Sequence, residues 1–174
     1  MNGKYSFNAK KVSLSGILLA FAVISLFLST IVPTNTLSFY ALSSFFVSVI
    51  VVEFGVKSGW VFYIASSLLA LIILPEKVGL IPYAIFFGVY GLIKYYIEKL
   101  NNIVVEYILK VACFNLSLLA AIAFVKEFFL DKIKVDFPWW LIILGLELVF
   151  LIYDYVYTLF IQYYNTKLKK ILKV

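Results

Sequence analysis

The chain has 174 residues, of which 64% are hydrophobic and 14% charged, and its mean hydropathy is +1.05. A soluble domain is about half apolar and about a quarter charged, so this composition excludes water as the main solvent. The net charge of +6 comes from lysines that lie at the edges of apolar runs rather than on one basic face. We therefore expect a protein of the lipid bilayer that does not bind nucleic acid.

Apolar runs bounded by proline, glycine and charged residues recur six times, and each is close to the length that crosses about 30 Å of hydrocarbon. The second and third runs are short, so a re-entrant hairpin is an alternative for them. The sequence predicts a single all-α domain, residues 1–174, an integral membrane bundle of about six transmembrane helices. The predicted spans lie at about 13–32, 37–52, 60–74, 80–97, 103–125 and 138–164.

The lysines are distributed unevenly between the two sides of this bundle. If the N-terminus is cytoplasmic, eleven of the 15 lysines fall on inner segments and four on outer ones, Lys77, Lys126, Lys132 and Lys134. The positive-inside rule then places both termini in the cytoplasm. Because every basic residue is lysine, which is typical of an AT-rich genome, we expect a multi-pass protein of a bacterial plasma membrane.

Three polar residues lie within the predicted fifth and sixth spans: Asn115, Glu147 and Asp154. Burying a charge there costs about 2.5 to 3.5 kcal/mol on an insertion scale, so these residues are candidate functional groups. Glu147 lies about 12 Å below Trp139 by helical rise, and Asn115 lies at a comparable depth on the neighbouring helix. The two either line an outward-facing ligand pocket with Trp139 or Trp140 as its lid, or form an interhelical hydrogen bond that fixes packing.

Asp154 lies deeper, in the cytoplasmic third of the sixth span, at the depth of Lys110 on the fifth. Lys110 and Asn115 are about 140° apart around the fifth helix, so both are not expected to face the same stripe of the sixth. We expect Lys110 to extend to the lipid headgroups. Asp154 would then pair with tyrosine hydroxyls or with Lys94.

The fourth span carries an aromatic face formed by Tyr83, Phe87, Tyr90 and Lys94, at spacings of four, three and four residues. This face either stacks against an aromatic ligand, or packs in the core or against lipid. Two glycines beside it allow close approach of a neighbouring helix.

The first span carries small residues, Gly16 and Ala20 at a spacing of four and Ala22 on another face. Small residues at this spacing let helices approach closely, either within the bundle or in docking to a partner protein. Of the two, we favour internal packing.

Several chemical signatures are absent from the sequence. There is no Walker loop, no cluster of cysteine and histidine, no HExxH, no GxSxG and no histidine at all. Cys113 is the single cysteine, so no disulfide within the chain is expected. We therefore predict no metal site, no cofactor and no hydrolase or transferase activity.

The sequence predicts six short helices, both termini inside, small residues early in the first helix (Gly16, Ala20, Ala22) and a polar first outer loop at 33–36. In these features the chain resembles the substrate-binding S components of energy-coupling factor (ECF) vitamin transporters. The family's usual motif is Ala-x-x-x-Ala, whereas this chain has Gly-x-x-x-Ala. The resemblance implies that these three residues dock onto a transmembrane coupling subunit driven by two cytoplasmic ATPase subunits.

The same resemblance implies a small-molecule substrate, a vitamin or another micronutrient, held near the outer face between the later helices and the first loop. The residues that would surround it are Asn35, Tyr83, Asn115, Trp139 and Glu147. No vitamin's signature is recognisable among them.

Two other functions compete with this one. A small membrane scaffold, such as the MreD-like cell-shape protein of similar size and span number, would use the helices as packing surface and transport nothing. An autonomous ion-coupled carrier would use Glu147 and Asp154 as proton sites.

Overall fold

A computed structural model describes residues 2–129 and 139–169, with side chains at 9, 11–124 and 141–169. Within these residues, six helices are long and apolar enough to cross a membrane, which confirms the predicted all-α membrane bundle. The second and third have 19 and 18 residues, so each is long enough to cross the hydrocarbon. The regular α-helices are α1 (Asn2–Ile31), α2 (Thr36–Phe54), α3 (Val56–Ile73), α4 (Gly88–Glu98), α5 (Ile103–Phe129) and α6 (Trp139–Tyr163). The fourth span, Val78–Glu98, is longer than α4 because it includes the turns that lead into that helix.

Short connections make successive helices alternate in direction. The α1–α2 turn opens with Pro33, which cannot continue α1, and a single residue, Gly55, joins α2 to α3. Gly55 has φ +82°, a left-handed conformation that other residues rarely adopt. As a result, α1 begins and α6 ends on one side of the bundle, which we call the terminal face.

α2 is the central helix and packs against α1, α3, α4 and α6. Its buried face is rich in serine rather than in large residues, which lets four neighbours approach. The hydroxyls are satisfied locally or across helices: Ser43 donates to the carbonyl of Ala22 (3.2 Å), and Ser44 bonds the Tyr153 hydroxyl (2.8 Å). Small polar residues thus bring the helices together without leaving these hydroxyls unpaired in an apolar core.

The chain enters α4 through a five-residue π-helical turn, Tyr83–Phe87, directly after Pro82. A π turn has a wider repeat than an α-helix and so rotates the residues before it relative to those after it. The Tyr63 hydroxyl of α3 donates to the carbonyl of Ala84 in this turn (2.7 Å). The turn decides which α4 side chains face α3 and which face α6.

Candidate functional site

Four charged side chains from three helices form a closed ring of ion pairs near the terminal face. Lys94 and Glu98 lie one turn apart on α4 and are 2.8 Å apart. Lys110 of α5 reaches Glu98 at 2.9 Å and Asp154 of α6 at 3.2 Å. Asp154 closes the ring by accepting a bond from Lys94 through its other oxygen. We call these four residues the ion ring.

Two neutral groups complete the ion ring's hydrogen bonding. The Tyr90 hydroxyl donates to Asp154 Oδ1 (2.6 Å), and Lys94 Nζ donates to the Thr158 hydroxyl (2.9 Å). Lys94 is 1% exposed and Asp154 6%, whereas the Glu98 side chain is 37% exposed. Two ammonium groups therefore balance two carboxylates in a largely buried site, which is the condition under which charges can be held in a low-dielectric interior.

The ion ring confirms one sequence prediction and corrects another. Asp154 pairs with a tyrosine hydroxyl and with Lys94, as predicted. The expectation that Lys110 extends to the headgroups is wrong, because its long side chain crosses to Asp154 and Glu98. The related expectation that Lys110 and Asn115 do not face the same stripe of α6 is also wrong, because Lys110 bonds Asp154 and Asn115 bonds Glu147.

The second feature is a cleft of about 630 Å³ between α2, α5, α6 and the segment 82–87 that precedes α4. It lies in the half of the bundle away from the terminal face. The start of α2, the segment 82–87 and the later part of α5 bound it there. Its walls are aromatic and aliphatic, with a few hydroxyls. They comprise Leu37, Ser38, Ala41, Phe45, Pro82, Ile85, Phe86, Phe87, Phe114, Ser117, Leu118, Ala121, Leu146, Val149, Phe150, Ile152, Tyr153 and Val156.

The cleft rests on an aromatic floor that separates it from the ion ring. Phe114 of α5 stacks on Phe150 of α6, with ring centroids 4.6 Å apart and planes 8° apart. Tyr90 packs edge-on against Phe150 (5.7 Å) and also lies beside Tyr153 (5.3 Å). Because Tyr90 also bonds Asp154, one side chain touches both the floor of the cleft and the ion ring.

Comparison of the chain with protein-family models, with curated proteins and with solved structures finds no match. The roles of the cleft and the ion ring must therefore follow from their own chemistry. Among the residues that the structure describes, no group of three or more metal-ligating side chains comes together.

The structure brings Asn115 and Glu147 into contact. The Asn115 amide donates to Glu147 Oε1 (3.0 Å) and to the carbonyl of Val111 (3.0 Å). Neither residue lines the cleft, whose nearest walls are formed by the adjacent Phe114 and Leu146. This geometry matches the interhelical hydrogen bond, which was one of the two predicted roles, rather than a ligand pocket.

The other proposed ligand residues are dispersed. Asn35 is exposed in the α1–α2 turn, and Tyr83 is fully buried with its hydroxyl on Ser66 of α3 (2.7 Å). Trp139 begins α6, but its side chain, like that of Trp140, lies outside the described residues, so the predicted lid is not placed. Of the five residues inferred from the resemblance, the four whose side chains are described, Asn35, Tyr83, Asn115 and Glu147, do not line the cleft.

The three small residues of α1 do not share a surface. Gly16 and Ala20 lie on an exposed face, and nothing lies within 4 Å of a Cβ built on Gly16. Ala22 is fully buried in a core cluster with Val47 and Phe62. Ala22 therefore packs inside the bundle, and only Gly16 and Ala20 remain available to a partner.

The sequence pattern indicated part of the aromatic wall of the cleft, since Phe87 of the predicted aromatic face lines it, but missed Phe86, which also lies in the π turn. A continuous α-helical stripe would put Tyr83 on one face with Phe87 and Tyr90. Instead, Tyr83 faces α3, whereas Phe86 packs against Phe114 (5.4 Å). Proline followed by aromatic residues was the available signal for an irregular helix entry.

Replacing Asn115 with leucine is expected to lower the free energy of unfolding by only about 0.6 kcal/mol, the average for a polar interhelical bond in a membrane. Glu147→Gln keeps the accepting oxygen, so its effect should be smaller still. Unfolding in a mixed-micelle SDS titration, followed by circular dichroism, measures both variants. A loss of several kcal/mol would show that this pair does more than join α5 to α6.

Proposed function

We propose that this chain is a membrane-embedded binding protein that holds a small, uncharged, largely apolar molecule in the cleft. The observation that carries the proposal is the cleft itself, whose volume of about 630 Å³ lies within the range of small-molecule sites. Four parts of the bundle form its walls, so a ligand there would contact side chains from four segments at once.

The walls restrict the chemistry of the ligand. Among the side chains that the structure describes, no charged one lines the cleft, and the hydroxyls there come from Ser38, Ser117 and Tyr153. The Tyr153 hydroxyl is already paired with Ser44. A ligand with a formal charge would lose its hydration without a compensating partner, which is costly in an apolar site. The stacked and edge-on phenylalanine rings favour a planar, aromatic or unsaturated molecule.

The ion ring supports the binding function mechanically. It joins α4, α5 and α6, three of the elements that enclose the cleft, at the end away from the cleft. Since two lysines already balance Asp154 and Glu98, the ion ring needs no proton to stay neutral. This balance favours a structural role for Asp154 over the proton-carrying role of an autonomous carrier.

We propose further that binding serves uptake, with this chain as the substrate-binding subunit of an ECF-type importer. The lysine bias would put the terminal face in the cytoplasm and the cleft in the outer half of the membrane. The chain has no Walker loop, so energy would come from ATPase partners through a coupling subunit. The exposed pair Gly16 and Ala20 is the part of the predicted docking surface that a coupling subunit could reach.

Filling the cleft tests the binding function. Ala121 lines the cleft, whereas its neighbour Ala120 is exposed on the outside of α5. We expect Ala121→Trp to abolish retention of a small molecule in native mass spectrometry of gently purified protein, and Ala120→Trp to leave retention unchanged. Both proteins should stay folded by circular dichroism.

Two results would count against the binding function. Wild-type protein that carries only phospholipid, with that lipid lost in Ala121→Trp and kept in Ala120→Trp, would show that acyl chains occupy the cleft. Equal retention in the two tryptophan variants would place the ligand elsewhere.

Absence of ATPase subunits from mild pull-downs, with a ligand still retained, would overturn the importer assignment and leave the binding function standing. A scaffold of the MreD type would retain no ligand and would instead capture cell-shape proteins.

A further inference from the structure

A second groove, of about 410 Å³, runs between α1 and α3 on the side of the bundle away from the cleft helices α5 and α6. The two helices run in the same direction, and each begins at the terminal face. Lys11 is the first residue of the apolar span in α1, and Lys57 is the second residue of α3. Both lysines line the groove and lie at the same membrane boundary.

The groove changes character with depth. Ser15 and Ser58 lie next to the lysines, and deeper in, the walls are apolar, with Leu19, Phe62 and Ala65. From Lys57 to Ala65 the α3 wall rises about 12 Å at 1.5 Å per residue. A cationic mouth at the boundary thus leads into an apolar channel that points toward the bilayer centre.

The positive charge at the mouth has no acidic partner among the described side chains. Lys11 Nζ lies over the Phe54 ring at 5.5 Å, and Lys57 is exposed. Glu53, the acid at the end of α2, pairs instead with Lys169 (3.3 Å). In this region two ammonium groups therefore face the membrane boundary without a carboxylate to neutralise them.

Gly16 keeps the channel open. A Cβ built on it would meet nothing within 4 Å, so the space beside it is vacant in the bundle. A single straight hydrocarbon chain can occupy such a space along the helix surface.

From these observations we infer that the α1–α3 groove is a binding site for one anionic phospholipid. Its phosphate would lie between Lys11 and Lys57, and one acyl chain would follow the groove past Gly16. Opposite charge selects the headgroup and apolar area holds the chain, which are the two components of lipid recognition at a membrane surface.

The test is native mass spectrometry of protein exchanged into mixed micelles that contain equal amounts of phosphatidylglycerol and phosphatidylcholine with identical acyl chains. Wild-type protein should retain a single phosphatidylglycerol in preference to phosphatidylcholine. The double variant Lys11→Gln, Lys57→Gln should bind phosphatidylglycerol roughly 30-fold more weakly, since each lysine near an anionic surface contributes about fivefold.

The matched control removes two other exposed lysines from the same face, Lys99→Gln with Lys167→Gln, and should leave the affinity unchanged. Gly16→Leu keeps both charges but fills the channel, and it should lower retention of both lipids. Circular dichroism and gel filtration establish that each variant is folded. Equal retention of the two lipids by wild-type protein, or equal losses in the two lysine double variants, would overturn the proposal. Unchanged binding by Gly16→Leu would overturn the placement of the acyl chain.

Discussion

Asp154→Ala is expected to lower the free energy of unfolding by about 3–5 kcal/mol, the usual cost of removing one partner from a buried ion pair. The substitution leaves Lys94 and Lys110 with a single carboxylate, that of the partly exposed Glu98, and leaves the Tyr90 hydroxyl without its acceptor. SDS-titrated unfolding in mixed micelles measures the loss. Glu98→Gln should cost less, because water reaches that carboxylate and already screens it.

A charge-balanced double variant separates loss of neutrality from loss of contacts. Lys94→Met with Asp154→Leu removes one charge of each sign and leaves Lys110 paired with Glu98. Replacement of a buried ion pair by apolar residues is often neutral, so this variant should be much more stable than Asp154→Ala. If it is equally unstable, or if Asp154→Ala costs under about 1 kcal/mol, the ion ring does not hold the three helices as described.

Gly91→Ala is expected to destabilise the protein by about 1–3 kcal/mol, which is the usual penalty for overpacking a well-packed core. A Cβ on Gly91 would overlap the hydroxyl oxygen of Tyr157 and would lie 3.2 Å from its Cζ and 3.8 Å from Ser48 Cβ. Tyr157 cannot easily move aside, because it is fully buried and donates to the carbonyl of Ser44 (3.2 Å). The close approach of α4 to α6 and α2 depends on this glycine.

Gly145→Ala is the matched control, since a Cβ on Gly145 meets nothing within 4 Å. It should be neutral or stabilising by up to about 1 kcal/mol, because alanine has the higher helix propensity. Combining Gly91→Ala with Tyr157→Phe removes the overlapping oxygen and should recover part of the lost stability. If Gly91→Ala and Gly145→Ala behave alike in the SDS titration, the contact between Gly91 and Tyr157 does not limit packing.

Depth in the membrane could be predicted from the sequence because helical rise is uniform. Asn115 and Glu147 were expected at comparable depths on neighbouring helices, and the structure joins them by a hydrogen bond. That prediction needed only the number of residues between the bilayer boundary and each side chain. Depth also placed Asp154 level with Lys110, and the two side chains form an ion pair.

The rotation of each helix about its own axis could not be predicted from the sequence, and the wrong predictions concern that rotation. Lys110 was expected at the lipid headgroups and Tyr83 on one aromatic face with Tyr90, whereas Lys110 bonds Asp154 and Tyr83 bonds Ser66 of α3. A helix that is apolar on every side gives no signal for the face that meets its neighbours. The π turn adds a change of phase that hydropathy does not show.

The sequence by itself determined that this chain forms six apolar helices, because backbone groups in hydrocarbon must be paired within the segment and few charges are tolerated there. It also determined which polar groups are too costly to face lipid. Only the tertiary structure decided that four of the charges neutralise one another in the ion ring and that phenylalanines from α2, the π turn, α5 and α6 enclose a cleft. These features depend on side chains brought together from distant segments, and their packing depends on helix rotation that no local pattern in the chain records.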